Sequence, residues 1–295
     1  MSTMLQVTNK IGVIVDSFGI GVREGLHKAK EVGAEGVQIY AVSGEMDPQR
    51  LNAQARRELR SYIDGLGLEI SALCGDLGGH GFQDRTVNPD KIEQSKRILD
   101  LAVELGTNIV TTHIGIVPDD RNGAIYEAMQ QACEELGQYA KSLNAYFAIE
   151  TGPEPAAHLK SFLDTLSTNG VSVNFDPANM VMVTGDDPAQ GVLTLKDYIV
   201  HTHVKDGRRL RAVDPRQVYG FLGYEKMSHE QIAVMASSGA DFEEVPLGDG
   251  QVDFEAYFTA LNTIGYKGYL TIEREVGAQP ELDIKRAVEF IKNYR

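Results

Sequence analysis

Eight times along the chain, a short apolar, β-rich run gives way to a polar turn and then to a stretch with helical spacing. IGVIVDSF (11–18) leads to VREGLHKAKEVG (22–33), and GVQIY (36–40) to PQRLNAQARRELRSYIDGLG (48–67). EISALCGD (69–76) leads through a Gly-rich loop to PDKIEQSKRILDLAVELG (89–106), and NIVTTHIG (108–115) to NGAIYEAMQQACEELGQYAKSLN (122–144). AYFAIETG (145–152) leads to AAHLKSFLDTLSTNG (156–170), and VSVNFDPANM (171–180) to a weaker helix around 188–196. YIVHTHVKDG (198–207) leads through a long irregular stretch to VDFEAYFTALNTIGYKG (252–268), and YLTIERE (269–275) to ELDIKRAVEFIKNYR (281–295). Gly33, Gly67, Gly106, Gly170 and Gly265 each close a helical stretch and read as C-caps.

Strands that alternate with helices imply a parallel sheet. Eight such units in 295 residues predict an α/β fold, a closed (β/α)8 TIM barrel occupying 1–295 as one domain, with an extended loop after strand seven at about 207–250. An open doubly wound sheet is the alternative, but it favours a G-x-G-x-x-G phosphate turn after its first strand. Here Gly19, Gly21 and Gly25 give a spacing one residue too long. The long loop carries Tyr219, Phe221 and Tyr224, an aromatic cluster suited to covering a substrate or packing on a second subunit.

The bulk numbers exclude several classes. No apolar run nears the roughly 20 residues of a membrane helix, and the N-terminal MSTMLQVTNK does not read as a signal peptide, so a cytoplasmic location is expected. Two cysteines, Cys74 and Cys133, suggest no disulfide framework. With 28 basic against 42 acidic residues, the net charge of −14 argues against nucleic acid as a partner.

In a barrel, active sites form at the C-terminal ends of the strands. Strand five ends in Glu150, strand six in Asp176, strand seven in His201, His203 and Lys205, and strand eight in Glu273 and Glu275. Strand four ends in His113, and strand three runs on to Cys74, Asp76 and His80. Any one of these acids is ordinarily a loop residue or a helix cap. Together they place carboxylates and imidazoles at one level of one barrel, where mutual repulsion and desolvation call for a cation. A set of three carboxylates and one imidazole suits one divalent metal ion, Mn2+ first, with Mg2+, Co2+ or Zn2+ as alternatives. Side chains alternate along a strand, so His201, His203 and Lys205 share a face. His203 lies level with the acids as a ligand, His201 a layer deeper as a buried support.

Glu150 in AIETG, Asp176 in NFDPANM, His203 in HVKDG and Glu273 in LTIERE resemble the motif set of the xylose isomerase-like TIM barrels. This sugar phosphate isomerase/epimerase superfamily includes ketose 3-epimerases of the D-tagatose 3-epimerase type. The resemblance spans nearly the whole chain and includes PLGDGQVDF (246–254). It implies a single divalent ion held by Glu150, Asp176, His203 and Glu273, with Glu150 and Glu273 as the acid/base pair on opposite faces of a sugar. A C–H beside a carbonyl becomes acidic once the enediolate is stabilised, which a metal does as a Lewis acid, and two carboxylates can then exchange the proton. Some family members carry a histidine three residues after the strand-six aspartate, where this chain has Asn179. Family epimerases often have an arginine six residues after the metal histidine, and Arg209 has that spacing. His113, Asn179, Lys205, Arg209 and His80 are therefore the candidate substrate-binding residues. The expected partner is a small sugar or sugar derivative, and homo-oligomers are common in the family. The Asp-x-His pair of the family's DNA-repair endonucleases is missing after HVKDGRRL. The resemblance implies a metal-dependent isomerase or epimerase, the alternatives being a dehydratase or lyase acting on a keto-sugar or keto-inositol with the same site, and a non-catalytic sugar-binding barrel.

Overall fold

The computed structural model describes residues 6–225, 227–238 and 241–295. Eight parallel strands close into a barrel: β1 (Ile11–Ile14), β2 (Gly36–Tyr40), β3 (Glu69–Cys74), β4 (Ile109–Thr112), β5 (Tyr146–Glu150), β6 (Val171–Phe175), β7 (Ile199–Val204) and, as the eighth stave, β10 (Leu270–Ile272). Between the last two, β8 (Asp206–Arg209) and β9 (Phe242–Val245) pair antiparallel outside the barrel. Closure is direct, because Ile11 of β1 is in register with Leu270 of β10.

The connections are the expected helices: α1 (Val22–Glu31), α2 (Ala53–Gly65), α3 (Asn88–Leu105), α4 (Ala124–Ser142), α5 (Ala156–Leu163), the single turn α6 (Pro177–Asn179), α7 (Pro188–Thr194), α8 (Pro215–Tyr219), α9 (His229–Ser238), α10 (Phe254–Thr263) and α11 (Pro280–Lys292). Local chemistry sets their starts. The side chains of Asn52, Asp187, Asp214 and Asp253 accept backbone N–H groups of the first turns of α2, α7, α8 and α10, and proline occupies the first turn of α3, α7, α8 and α11. No helix among the described residues is long and apolar enough to cross a membrane.

The stretch 207–250 departs from the expected irregular loop. It holds the β8–β9 ribbon with α8 and α9 between its strands, so this insert has a backbone framework of its own. Both cysteines are buried and unbridged. Four of the five predicted cap glycines, Gly33, Gly67, Gly106 and Gly265, have positive φ. Gly170 does not. It lies beyond the end of α5, against α4, where a Cβ would sit 2.0 Å from the carbonyl oxygen of Gly137. Gly170 is there for close backbone approach.

Gly170→Ala is thus expected to force α4 away from β6 and to destabilise the protein by roughly 1–3 kcal/mol, the usual range for overpacking. Urea unfolding checks this; an unchanged midpoint would mean that the crossing is loose.

Candidate metal centre and active site

Consecutive staves deliver four side chains to one point above the barrel. Glu150 is the last residue of β5, Asp176 follows β6, His203 lies near the end of β7 and Glu273 follows β10. All four are buried, Asp176 and His203 completely. One donor atom from each lies within 4.8 Å of the others. His203 Nδ1 is 3.4 Å from Asp176 Oδ2, 3.3 Å from Glu273 Oε2 and 3.7 Å from Glu150 Oε1. His203 Nδ1 and Asp176 Oδ2 have no hydrogen-bond partner among the described residues. Two orphaned polar atoms beside two further carboxylate oxygens are costly in a protein interior, and they fit the donor set of a divalent cation.

The cluster is braced from below and from the side. Asp176 Oδ1 accepts the Asn179 N–H at 2.9 Å and caps α6, which leaves Oδ2 for the centre. His203 Nε2 meets Gln38 Oε1 at 3.1 Å, so a proton on Nε2 leaves Nδ1 a lone pair directed at the cluster. Asn174 Nδ2 donates to Glu150 Oε2 at 3.0 Å, and its Oδ1 contacts His201 Nδ1 at 2.8 Å. His201 Nε2 meets Thr271 Oγ1 at 3.1 Å, and burial depresses the His201 pKa well below its ordinary value. It is a neutral buried support one layer down. Gln38 and Asn174 were not among the candidates from the sequence. Asn174 precedes Asp176 by two residues and shares its face, and Gln38 is the one amide in the apolar run GVQIY. Parity applied to polar residues within strands, as well as at strand ends, would have found both.

Charge balance comes largely from Lys205. It is 2% exposed, with its Nζ 3.0 Å from Glu273 Oε2, 3.9 Å from Glu244 Oε2, 4.0 Å from Asp176 Oδ2 and in contact with Glu275. Burial opposes ionisation of Glu273, but Lys205 and His203 outweigh it and hold its carboxyl well below the usual range. At Glu150 burial wins, and the pKa rises to about 7 despite His203 and His113. The two glutamates therefore differ in proton affinity, a division of environments that separates acid from base in carboxylate pairs.

A model of the xylose isomerase-like TIM barrel family matches residues 26–294. The chain belongs to that family. An inosose dehydratase of Lacticaseibacillus casei is 25% identical over 154 residues, 51% of this chain and 47% of that protein, so the chain spans about half of that relative's length. The Haemophilus influenzae protein named "Putative L-ribulose-5-phosphate 3-epimerase SgbU" is 23% identical over 299 residues, 96% of this chain and 95% of that one. Among solved structures, a xylose isomerase domain protein from Planctomyces limnophilus superposes with a TM-score of 0.77 at 26% identity, covering 98% of both chains.

In this family member the cluster opens on a cavity of about 570 Å³ lined by Glu150, Glu273, His113, Asn179, Tyr40 and Tyr219, among others. Asn179 Nδ2 donates to Glu150 Oε1 at 3.0 Å. His113 stands between Asp76 Oδ2 at 3.2 Å and Glu150 Oε1 at 3.7 Å. Burial lowers its pKa, and the two carboxylates more than reverse this, to about 9. Tyr219 of the insert packs on His113, with ring centroids 5.2 Å apart, whereas Phe221 and Tyr224 are joined by an isolated backbone bridge. Two expected substrate contacts fall elsewhere. His80 is not among the lining residues, although Gly79 and Gly81 on either side of it are. Arg209 lies on β8, which leaves the barrel after Lys205, and borders a separate groove with Asp186, Asp187 and Asp253. Lys205 is beneath the cavity, engaged with the acids.

Lys205→Met would leave several buried carboxylates uncompensated, a loss of about 3–5 kcal/mol at neutral pH in metal-free protein. Glu273, with its depressed pKa, contributes stability above the ordinary glutamate range and loses it as pH falls through the folded value. The difference between wild type and variant should therefore shrink in acid, as measured by denaturation at several pH values. A deficit independent of pH would assign Lys205 a packing role only.

Proposed function

We propose that the chain is a divalent-metal-dependent enzyme that moves a proton at the carbon next to the carbonyl of a small sugar or sugar derivative, as an isomerase or epimerase. The observation that carries this reading is the buried cluster with its two orphaned atoms, two of whose four members are glutamates in unlike environments. Glu150, Asp176, His203 and Glu273 would hold the ion, with Mn2+ the best match to the donors and Mg2+, Co2+ or Zn2+ as alternatives. When bound, such an ion supplies Lewis acidity to the carbonyl and makes the neighbouring C–H acidic.

The protein's own residues do the rest. Glu273, kept ionised by Lys205, is suited to receive the proton. Glu150, which also lines the cavity, is placed to deliver one. Gln38 and Asn174 keep His203 and Glu150 oriented. His113 and Asn179, facing the cavity beside Glu150, are placed to meet substrate oxygens. Tyr219 helps to cover the site and to exclude water. The similarity to inosose dehydratases supports a second reading, in which loss of a hydroxyl from the β-carbon follows the same proton removal and gives an enone.

With Mn2+ in D2O and a panel of ketoses and keto-inositols, the enzyme should incorporate deuterium beside the carbonyl. Glu150→Gln or Glu273→Gln should slow exchange by about 10²–10⁴-fold. Deuterated epimer supports the first reading, and an absorbing enone the second. Mn2+ should raise the thermal midpoint, and Asp176→Asn should abolish that rise. No exchange with any member together with no Mn2+-dependent stabilisation would overturn the proposal.

A further inference from the structure

The proton chemistry uses part of the cavity lining and leaves the rest unexplained. That remainder includes an apolar set: Met182 and Val183 follow α6, Val218 belongs to α8, Ile232 and Ala236 to α9, and Phe242 to β9. Four of these six come from the insert between β7 and α10. The lining is also acidic, with Asp76, Glu150, Glu244, Glu273 and Glu275, and His113 is the one basic side chain among the described lining residues. Among the described residues the nearby cations are already engaged: Lys91 donates to the carbonyls of Gly78 and Gly81 at 2.7 Å. Lys205 lies among four carboxylates, Arg274 is held by Glu244 at 2.6 Å and Asp283 at 3.0 Å, and Arg209 faces the separate groove. Phosphate and carboxylate groups are gripped by arginine or lysine or by free backbone N–H groups. The glycine loop at the rim already gives its Gly78 N–H to Asp76.

We propose that the substrate is uncharged away from its reacting end and carries an apolar group there, which the insert between β7 and α10 receives. This rests on the proton-transfer reading of the same cavity. Placing a hydrocarbon group against Ile232, Ala236 and Phe242 removes apolar surface from water on both partners. A phosphate at that position would face aliphatic side chains and carboxylates.

The test uses Mn2+-loaded protein and the four D-2-ketohexoses, each as the parent sugar, the 6-deoxy sugar, the 6-O-benzyl ether and the 6-phosphate. Calorimetry should show the benzyl ether binding about tenfold or more tightly than its parent, and the phosphate about tenfold or more weakly. Ile232→Arg, on a partly exposed helix position, should cancel the benzyl preference and improve binding of the phosphate. Equal or tighter phosphate binding, no gain from the benzyl group, or no binding of any neutral sugar would overturn the proposal. Deuterium exchange in the same mixtures separates it from the reading beneath it. The predicted binding order without exchange sinks only the proton-transfer chemistry, whereas exchange with a preference for phosphates sinks only the apolar arm.

Discussion

Carboxylates brought together in the mouth of one barrel repel each other unless positive charge is buried with them, and Lys205 is the part of that charge that the fold itself provides. Its Nζ touches Glu273 and Glu275 after β10, Glu244 on β9 and Asp176 after β6. Glu244 then passes to Arg274, and Arg274 to Asp283 on α11. One chain of alternating charges thus ties the cluster, the ribbon and the last helix into a single arrangement. Breaking such a buried chain is costly because every remaining member is left uncompensated. The β8–β9 ribbon is fastened to the site by the same contact, through Glu244.

Asp176 serves two requirements at once. As the residue after β6 it caps α6 through Oδ1, and the cap fixes the carboxylate plane so that Oδ2 faces His203. A helix cap and a candidate metal ligand are here the same side chain. Asn174 works similarly, orienting Glu150 with its amide N–H2 while its carbonyl oxygen meets His201. The polar residues inside the barrel form a net with few free donors, which restricts the rotamers of Glu150 and His203 before any ligand arrives.

Strand ends were legible in the sequence because barrel geometry converts position along the chain into position at the mouth. The period of two then distinguishes His203 from its neighbours. That reasoning reached Glu150, Asp176, His203 and Glu273, which the structure brings to one point, and it read His201 as a deeper support. It failed where a residue's place depends on what a distant segment does. Arg209 has the spacing of a family contact, but the chain turns out of the barrel after Lys205 to pair with β9, and the pairing aims Arg209 at another groove. Glu244 joins the site only through that same pairing. Gly170 looked like a cap because it follows a helical stretch, yet its reason is the passing backbone of α4, invisible until helix and strand are docked.

Proton removal beside a carbonyl is common to epimerisation, isomerisation and dehydration, so the cluster alone does not choose among them; the fate of the carbanion depends on how the rest of the substrate is held. That holding belongs to a different part of the chain. The strand ends present the charged groups, and the segment from β8 to β9 presents Ile232, Ala236 and Phe242 to the same cavity. The two parts meet at Lys205 and Glu244, where a change in the insert is felt electrostatically by Glu273. A barrel of this kind can therefore vary its substrate by altering the insert, provided that Glu244 or an equivalent charge stays in place. Substitutions in the insert that spare Glu244 leave the charge balance at Lys205 intact, whereas those that remove it alter the electrostatics at Glu273.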